Sequence, residues 1–285
     1  MKIGIGLPST IPGADGGQVR EWATRSEAAG FSTLGTIDRL VYPNHESLIA
    51  LAYAAGATER IGLLTSIMLA PLRKNTALLA KQAASLDVLS GGRLTLGLAP
   101  GGREDDYQAS GVDYHARGRI FDDQLEELQR LWSGNEVGPK PAEGRPEVVI
   151  GGAVETSFRR AARFGRGWMM GGGPPDQFTE RLNGVRAAWA EAGRADEPRI
   201  LALGYYALGP DAREQARDYI GHYYAFLGDE AARGFADSIP AAPDDVKART
   251  DAFAEAGCNE FIWFPTSADP EQVDLLADVV LRTKD

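Results

Sequence analysis

The sequence predicts a (β/α)8 TIM barrel with insertions after the fourth and seventh strands. Eight short apolar segments alternate with segments of helical periodicity along the 285 residues. No shift of composition marks a linker, and barrels of this kind run to roughly 250 residues as one domain. We therefore expect residues 1–285 to form a single domain.

An open doubly wound sheet is the alternative architecture. Its usual signature is a Gly-x-Gly-x-x-Gly turn directly after the first strand. Here Gly4 and Gly6 lie inside the predicted first strand, residues 2–7, so the signature is missing. The barrel is favoured.

The first half of the chain contains four predicted strands, at residues 2–7, 31–37, 61–69 and 94–98. The third strand is apolar at most positions, which is typical of a strand covered on both faces, as in a parallel sheet. Helices are predicted at residues 18–29, 43–57 and 76–89. Gly30 is expected to end the first helix and Asn75 to cap the start of the third.

The second half repeats the same alternation with longer connections. Four more strands are predicted at residues 148–150, 168–170, 199–207 and 260–264. Residues 103–118 are expected to be an irregular insertion and residues 134–146 a connector rich in Pro and Gly. Helices are predicted at residues 119–132, from about 155, and at 176–192, 211–235, 243–256 and 270–281.

Composition excludes several kinds of partner. The formal charge is -10, from 30 basic and 40 acidic side chains, so the overall field repels a nucleic acid. No apolar run approaches the roughly 20 residues of a membrane span. The amino-terminal residues lack the features of a signal peptide, and the one cysteine, Cys258, rules out an internal disulfide. We expect a cytoplasmic protein without nucleic-acid or membrane partners, and Cys258 as a small core residue.

The usual catalytic signatures are missing too. The three histidines, His45, His115 and His222, are far apart and have no cysteine partners, so no metal site is expected. Neither a Gly-x-Ser-x-Gly elbow nor a P-loop is present. Because few acids, bases or nucleophiles stand in a recognisable catalytic arrangement, we expect an organic cofactor to carry the reaction.

Candidate site residues are those that follow the strands, because the active site of such a barrel lies at the carboxyl ends of its strands. The candidates of this kind are Asp38, Arg39, Ser66, Gly101, Gly102, Glu104, Gly151, Gly152, Gly171 and Gly172. Gly pairs between a strand and a helix let the backbone approach a phosphate. Gly151 and Gly152, with the nearby Arg159, Arg160 and Arg163, fit that use. The alternative is a tight turn followed by a solvated helix face.

The chain resembles the bacterial luciferase-like superfamily of flavin- and deazaflavin-dependent oxidoreductases. The resemblance covers most of the chain and is carried by a set of motifs in a fixed order. They are Ser-Glu-Ala-Ala-Gly-Phe at 26–31, Leu-Ala-Lys-Gln at 79–82, Leu-Asp-Val-Leu-Ser-Gly-Gly-Arg-Leu at 86–94, Gly-Val to Gly-Arg at 111–119, and Val-Ile-Gly-Gly at 149–152 through Arg-Ala-Ala-Arg-Phe-Gly at 160–165 to Gly-Trp at 167–168.

This resemblance implies the same barrel and the position of the cofactor. The isoalloxazine ring would lie across the barrel mouth, backed by a bulge in the third strand. That bulge falls at Ser66 and Ile67, often with a non-prolyl cis peptide. The cofactor phosphate would lie near Gly151-Gly152 and Gly171-Gly172, while Gly101-Gly102 give room beside the ring.

One departure from the family concerns the polar groups around the ring. The family commonly has Asp-His after the second strand, whereas this chain has Asp38-Arg39. Arg39 could stabilise the anionic edge of a reduced flavin, since guanidinium is a permanent planar donor. It could equally form a structural salt bridge. We predict Asp38, Arg39 and Glu104 as the catalytic polar residues.

The first functional hypothesis is a flavin-dependent monooxygenase that uses reduced FMN and dioxygen on a small organic substrate. A separate flavin reductase and a homodimer or higher homo-oligomer are compatible partners. The second hypothesis replaces FMN with the deazaflavin coenzyme F420, which transfers hydride; Glu104 would then donate a proton, and Arg73 and Lys74 would meet the acidic tail. The third is a barrel without cofactor that acts as a binding or scaffold subunit.

Overall fold

Eight parallel strands close into a barrel in chain order. The computed structural model describes residues 1–282. The strands are β1 (Lys2–Gly6), β2 (Thr33–Thr36), β3 (Gly62–Leu69), β4 (Leu94–Ala99), β5 (Glu147–Gly151), β6 (Gly167–Met170), β7 (Arg199–Tyr206) and β8 (Glu260–Pro265). Since β1 pairs with β8, Lys2 opposite Glu260, the sheet has no open edge. The predicted (β/α)8 barrel is confirmed.

Helices follow the strands on the outside of the barrel. They are α1 (Gly16–Ala29), α2 (Ser47–Ala55), α3 (Thr76–Leu89), α4 (Glu104–Ser110), α5 (Arg117–Ser133), α6 (Glu155–Phe164), α7 (Pro175–Glu191), α8 (Ala212–Tyr223), α9 (Asp229–Asp237), α10 (Pro243–Glu255) and α11 (Glu271–Val280). Both predicted caps are confirmed. Gly30 ends α1 with a φ of 94°, and Asn75 accepts a hydrogen bond from the Leu78 amide. Within residues 1–282, no helix combines the length and the apolar character needed to cross a membrane.

Two predicted segments differ from the observed ones. The insertion at residues 103–118 contains α4, whose first turn carries three acidic residues that suit a helix amino terminus. The predicted helix at 211–235 is divided into α8, a short 3-10 turn (Ala225–Leu227) and α9. Gly228 separates the last two with a φ of 88°, a conformation that an α-helix cannot contain.

Side chains of the strands alternate between two buried layers. One layer fills the barrel interior and includes Leu64, Val149, Leu201 and Ile262. The other lies between strands and helices and includes Cys258. Burial raises the pKa of the Cys258 thiol to about 12, so this thiol stays protonated in the core.

Polar residues close the amino end of the barrel. Arg199 on β7 forms ion pairs with Glu147 on β5 and Glu260 on β8, and donates to the Thr95 hydroxyl on β4. Glu260 also accepts from the hydroxyls of Ser32 and Thr33 at 2.6 Å each. These contacts cross the barrel interior at the end opposite the carboxyl ends of the strands.

Candidate active site

The irregular end of β3 forms one side of the barrel mouth. Its pairing with β4 shifts between Thr65 and Met68, and the Ser66–Ile67 peptide is cis. Both features lie where the family resemblance predicts them. The Ile67 side chain lies over β5, since a Cβ added to Gly151 would be 2.2 Å from Ile67 Cδ1. Ile67 therefore covers this part of the interior only because residue 151 is glycine.

Next to this contact, the turn after β5 exposes backbone groups. Gly152 has a φ of 144°, and a Cβ there would lie 2.2 Å from Ser157 Oγ. The Trp168 indole holds the Gly152 carbonyl with a hydrogen bond of 2.7 Å. Helix α6 then begins at Glu155, and the preceding residue, Val154, provides no side-chain cap. The first amide groups of α6 are thus open to an external acceptor such as a phosphate.

The basic face of α6 does not contribute to this turn. Arg160 and Arg163 form ion pairs with Asp122 and Glu126 of α5, at 2.6 and 2.7 Å. Arg159 pairs with Glu155 of its own helix. For the three arginines, these ion pairs favour the alternative of a charged helix face over a phosphate-binding role. Gly151 and Gly152 remain predicted phosphate ligands through their backbone.

Asp38 connects the exits of β2 and β3. Its carboxylate accepts the Leu69 amide at 2.8 Å and pairs with Arg73, whose Nη1 lies 2.5 Å from Oδ2. Arg73 also pairs with Glu46 at 2.7 Å. Burial alone would lower the pKa of Arg73, but the two carboxylates raise it overall. Arg73 is consequently engaged inside the protein and not free for an acidic cofactor tail.

Arg39 connects the exits of β2 and β4. Its Nε donates to Asp106 Oδ2 at 2.5 Å, and its Nη2 to Asp105 Oδ2 at 2.9 Å. The side chain of Arg39 is 4% exposed and that of Asp106 0%. The other Asp106 oxygen accepts the amides of Leu40 and Val41 at 2.9 Å each. The salt bridge expected as one alternative for Arg39 is therefore present, and Asp106 fixes the loop that carries it.

The third nitrogen of the Arg39 guanidinium, Nη1, is not used in these ion pairs. This nitrogen is buried and makes no hydrogen bond of good geometry within residues 1–282, although the guanidinium lies close enough to Tyr223 to oppose the rise in the pKa of that phenol that burial causes. Burial lowers the pKa of Arg39, but the hydrogen bond and charge of Asp106 raise it overall, so the guanidinium is charged. A buried charged donor without an acceptor costs free energy unless a ligand supplies one.

Aromatic side chains form the opposite side of the mouth. Tyr205 and Phe264, at the ends of β7 and β8, belong to the interior layer, and Tyr219 and Tyr223 of α8 pack with them. Burial raises the pKa of Tyr205 and Tyr219 well above the ordinary phenol range, so both hydroxyls keep their protons. Arg103, after β4, lies 3.6 Å from the centre of the Phe226 ring. The mouth thus has an apolar wall with neutral donors.

Of the other large side chains on β6, β7 and β8, Met169 lies in the interior layer. Trp168, Met170, Tyr206 and Trp263 lie in the layer between strands and helices. Those four are core residues.

The remaining predicted residues border the mouth at different depths. Glu104 is exposed at the start of α4 and forms no ion pair in the described part of the chain. Gly101 has a φ of 72° and sits against Leu69, whereas a Cβ on Gly102 or Gly171 would meet no heavy atom within 4 Å. A Cβ on Gly172 would have Phe235 Cζ as its nearest heavy atom, at 3.9 Å. Among the described residues, no group of three potential ligands could hold a metal ion.

A cavity beside the mouth was not expected from the sequence. It measures about 470 Å³ and is lined by Ile11, Pro12, Tyr42, Gln215, Asp218, Tyr219, His222, Thr266, Ser267 and Ala268. The Tyr42 hydroxyl lies 2.8 Å from His222 Nδ1. The spacing of Gln215, Asp218, Tyr219 and His222 was the available signal, since positions i, i+3, i+4 and i+7 lie on one face of a helix.

Known proteins resemble the chain along its length. A model of the family described as luciferase-like monooxygenase matches residues 1–278. An uncharacterized protein of Mycobacterium tuberculosis is 29% identical over 232 residues, which is 69% of this chain and 80% of that protein. An FMNH(2)-dependent dimethylsulfone monooxygenase of Pseudomonas putida is 23% identical over 213 residues, 68% of this chain and 57% of that protein.

A solved structure has the same fold. The F420-dependent secondary alcohol dehydrogenase in complex with an F420-acetone adduct superposes with a TM-score of 0.80, at 18% identity, over 99% of this chain and 100% of the other. Both cofactor types considered from the sequence thus occur among the similar proteins.

Proposed function

The chain belongs to the luciferase-like monooxygenase family, and from this premise we propose that it is a monooxygenase that uses reduced FMN and dioxygen on a small organic substrate. The cofactor supplies the activation of dioxygen, and the protein supplies binding, orientation and a water-poor site. A separate reductase would deliver the reduced flavin.

The residues at the mouth fit a flavin. Ser66 and Ile67 of the bulge would support the ring, and the open space beside Gly102 would admit it. The uncapped start of α6 and the Gly151-Gly152 backbone would bind the phosphate, with Gly171-Gly172 beside them. Gly101 would keep the β4 loop close to Leu69 and out of that space.

The free Nη1 of Arg39 is the observation that carries the proposal. It is a buried, charged donor without an acceptor in the described residues, so an electron-rich oxygen or nitrogen of a ligand would satisfy it. A reduced flavin has such an anionic edge. Asp105 and Asp106 balance the charge of Arg39 and would hold it in orientation, so that its contribution to a ligand would be the directed Nη1 donor.

The buried charges also favour oxygen chemistry over hydride transfer from an alcohol. Alcohol oxidation needs a group that accepts the hydroxyl proton, and guanidinium cannot serve, because it stays protonated at physiological pH. Asp38 and Asp106, the buried carboxylates of the mouth, are both held in ion pairs. Neither buried carboxylate is a free base, so a proton acceptor for an alcohol would have to be an exposed group such as Glu104.

Two observations support the deazaflavin alternative. Glu104 is exposed and unpaired in the described structure, as a proton donor near the mouth would be. Lys74 lies near the loop that contains Gly111, because its Nζ would be 3.1 Å from a Cβ on that glycine. Lys74 forms no ion pair among residues 1–282. Lys74 would meet an acidic cofactor tail where Arg73 is already occupied.

Self-association is proposed through the face formed by α2 and α3. Ile49, Leu78 and Leu89 on these helices are 69%, 50% and 85% exposed. Covering apolar side chains of this size stabilises an interface by about 25 cal/mol per Å². Light scattering of the full chain, compared with Leu89→Glu, tests this point, and equal masses for both proteins at the monomer value would contradict it.

Oxygen consumption tests the proposed reaction. The full chain is mixed with chemically reduced FMN in air-saturated buffer and a panel of small ketones, sulfides and aromatic compounds, and products are identified by mass spectrometry. Incorporation of one atom from labelled dioxygen into a product is expected. Turnover that needs coenzyme F420 and proceeds without oxygen would contradict the proposal.

A further inference from the structure

We propose that the cavity beside the mouth is the substrate pocket, and that His222 presents its Nε2–H to the carbonyl oxygen of a neutral, largely apolar substrate. The role in turnover rests on the proposed function, but the binding itself requires no flavin. Four features of the molecule support the proposal: the apolar cavity walls, the Tyr42–His222 hydrogen bond, the charge of Asp218, and the aromatic contacts between the cavity wall and the mouth.

The walls of the cavity suit a small organic molecule. Its volume of about 470 Å³ falls in the range of ligand pockets, roughly 300 to 1,000 Å³. Ile11, Pro12 and Ala268 supply apolar surface, and the Tyr219 ring supplies an aromatic one. The Tyr219 hydroxyl donates to Thr10 Oγ1 at 2.8 Å, so this ring is fixed in place. Most of the ligand surface would therefore lie against carbon atoms.

Under this proposal, the Tyr42 hydroxyl is the donor and His222 Nδ1 is the acceptor of the hydrogen bond between them. The oxygen and Nδ1 are 2.8 Å apart, and this nitrogen is the one acceptor that the Tyr42 hydroxyl has within residues 1–282. Burial raises the pKa of Tyr42 although Arg39 opposes the shift, so the hydroxyl keeps its proton. When it donates that proton to Nδ1, the neutral imidazole carries its own hydrogen on Nε2. His222 is then a donor toward the cavity.

Charge around the cavity favours a neutral ligand. Asp218 is a lining residue, and no lysine or arginine belongs to the described lining. A carboxylate or phosphate substrate would meet Asp218 without a compensating cation. A carbonyl oxygen accepts a hydrogen bond without bringing a net charge, so a ketone or an aldehyde on an apolar body matches the donor and the walls together.

Packed aromatic rings connect the wall of the cavity with the residues of the barrel mouth. The Tyr219 and Tyr205 ring centres are 6.2 Å apart, and so are those of Tyr205 and Phe264. The Phe264 ring lies over Gly6 of the neighbouring strand β1, since a Cβ on Gly6 would lie 2.1 Å from its Cδ1. On the other side, the Arg39 guanidinium carbon is 5.8 Å from the Tyr42 ring centre. A substrate in the cavity would thus be separated from Arg39 by the Tyr42 ring.

Nitrogen NMR of the histidines in the full chain, without flavin, tests the proposal. The protein is labelled with [15N]histidine, and its three imidazoles are assigned from His222→Gln and His115→Gln. Acetophenone and ethylbenzene are then titrated as a pair that differs in the carbonyl group. The free protein should show His222 with its hydrogen on Nε2, and acetophenone should shift the His222 signals while those of His115 stay constant.

The affinities give a second readout. His222→Gln should weaken acetophenone binding about fivefold to tenfold, since one hydrogen bond is lost, and should leave ethylbenzene binding unchanged. His115→Gln should alter neither. Equal acetophenone affinity in wild type and His222→Gln, no binding of acetophenone, or a hydrogen on Nδ1 of His222 would overturn the proposal. Because flavin is absent, these failures are distinct from a failure of the monooxygenase assignment.

Discussion

Arg39 Nε donates to Asp106 Oδ2 over 2.5 Å, and both side chains are almost completely buried. This contact joins the exit of β2 to the first turn of α4. It keeps a guanidinium at the barrel mouth with one donor, Nη1, unpaired in the described structure. The pair therefore organises the loops and, under the proposed function, also the polar contact to the cofactor.

Asp106→Asn should destabilise the protein by about 3 kcal/mol, because it removes the buried charged partner of Arg39 and leaves the guanidinium with the half-exposed Asp105 alone. Urea unfolding of the two proteins measures the difference. Asp123→Asn is the matched control, since Asp123 forms an exposed pair with Arg119, and it should cost about 0.5 kcal/mol or less. If the two variants lose equal stability, the Arg39–Asp106 pair does not hold the mouth loops together.

Gly151→Ala should reduce flavin affinity and destabilise the protein by about 1 to 3 kcal/mol, because its Cβ would overlap Ile67 Cδ1. The free energy of unfolding and the Kd for reduced FMN are both measured. Gly234→Ala in α9, where a Cβ meets no atom within 4 Å, is the control and should leave affinity unchanged. Normal affinity in Gly151→Ala would remove this residue from the site.

Glu104→Gln should lower kcat while the free energy of unfolding stays within about 0.5 kcal/mol of wild type, as for other surface substitutions. The reason is that Glu104 is exposed and unpaired in the described chain, so its charge has no structural partner to lose. Steady-state kinetics and urea unfolding provide the two measurements. An unchanged kcat would reduce Glu104 to a loop acid.

Stability should fall when the pH is lowered through the ordinary carboxyl range, in part because of Glu260. Burial would raise the pKa of Glu260, but the charge of Arg199 and the bonds from Ser32 and Thr33 lower it overall. The folded state therefore binds fewer protons than the unfolded state. The stabilisation is present above the unfolded pKa and is lost as the pH falls through the lower, folded pKa.

Unfolding free energies of wild type and Glu260→Gln at pH about 7 and about 4 measure this contribution. The variant should be less stable at the higher pH and show a smaller loss between the two. Glu143→Gln, an exposed carboxylate without an ion pair in residues 1–282, should follow the wild type. Identical pH dependence in Glu260→Gln and wild type would contradict the assignment.

Local signals were enough to predict the barrel from the sequence. Gly30 and Asn75 mark helix ends through their own backbone and side-chain chemistry, and the apolar strands recur in order. The break at Gly228 was missed because aromatic residues continue the helical spacing past Tyr223, whereas a glycine with positive φ interrupts it.

The candidate site was harder to predict than the fold, because its contacts are made between distant residues. Arg39 and Asp106 are 67 positions apart, and Tyr42 and His222 are 180 apart. Arg160 could be identified as basic from the sequence, but its partner Asp122 lies on another helix. Family resemblance placed the cis peptide at Ser66–Ile67, a feature that no local pattern in this chain indicates.

Anaerobic titration of the full chain with reduced FMN, followed by protein fluorescence, is the decisive test of the cofactor assignment. Coenzyme F420 is titrated in parallel, and Arg39→Lys is compared with wild type. We predict a Kd for reduced FMN of about 1 μM or tighter, and about tenfold weaker binding in Arg39→Lys, which keeps the charge but loses the free Nη1 donor. Micromolar binding of F420 without binding of reduced FMN, or no binding of either, would contradict the proposed function.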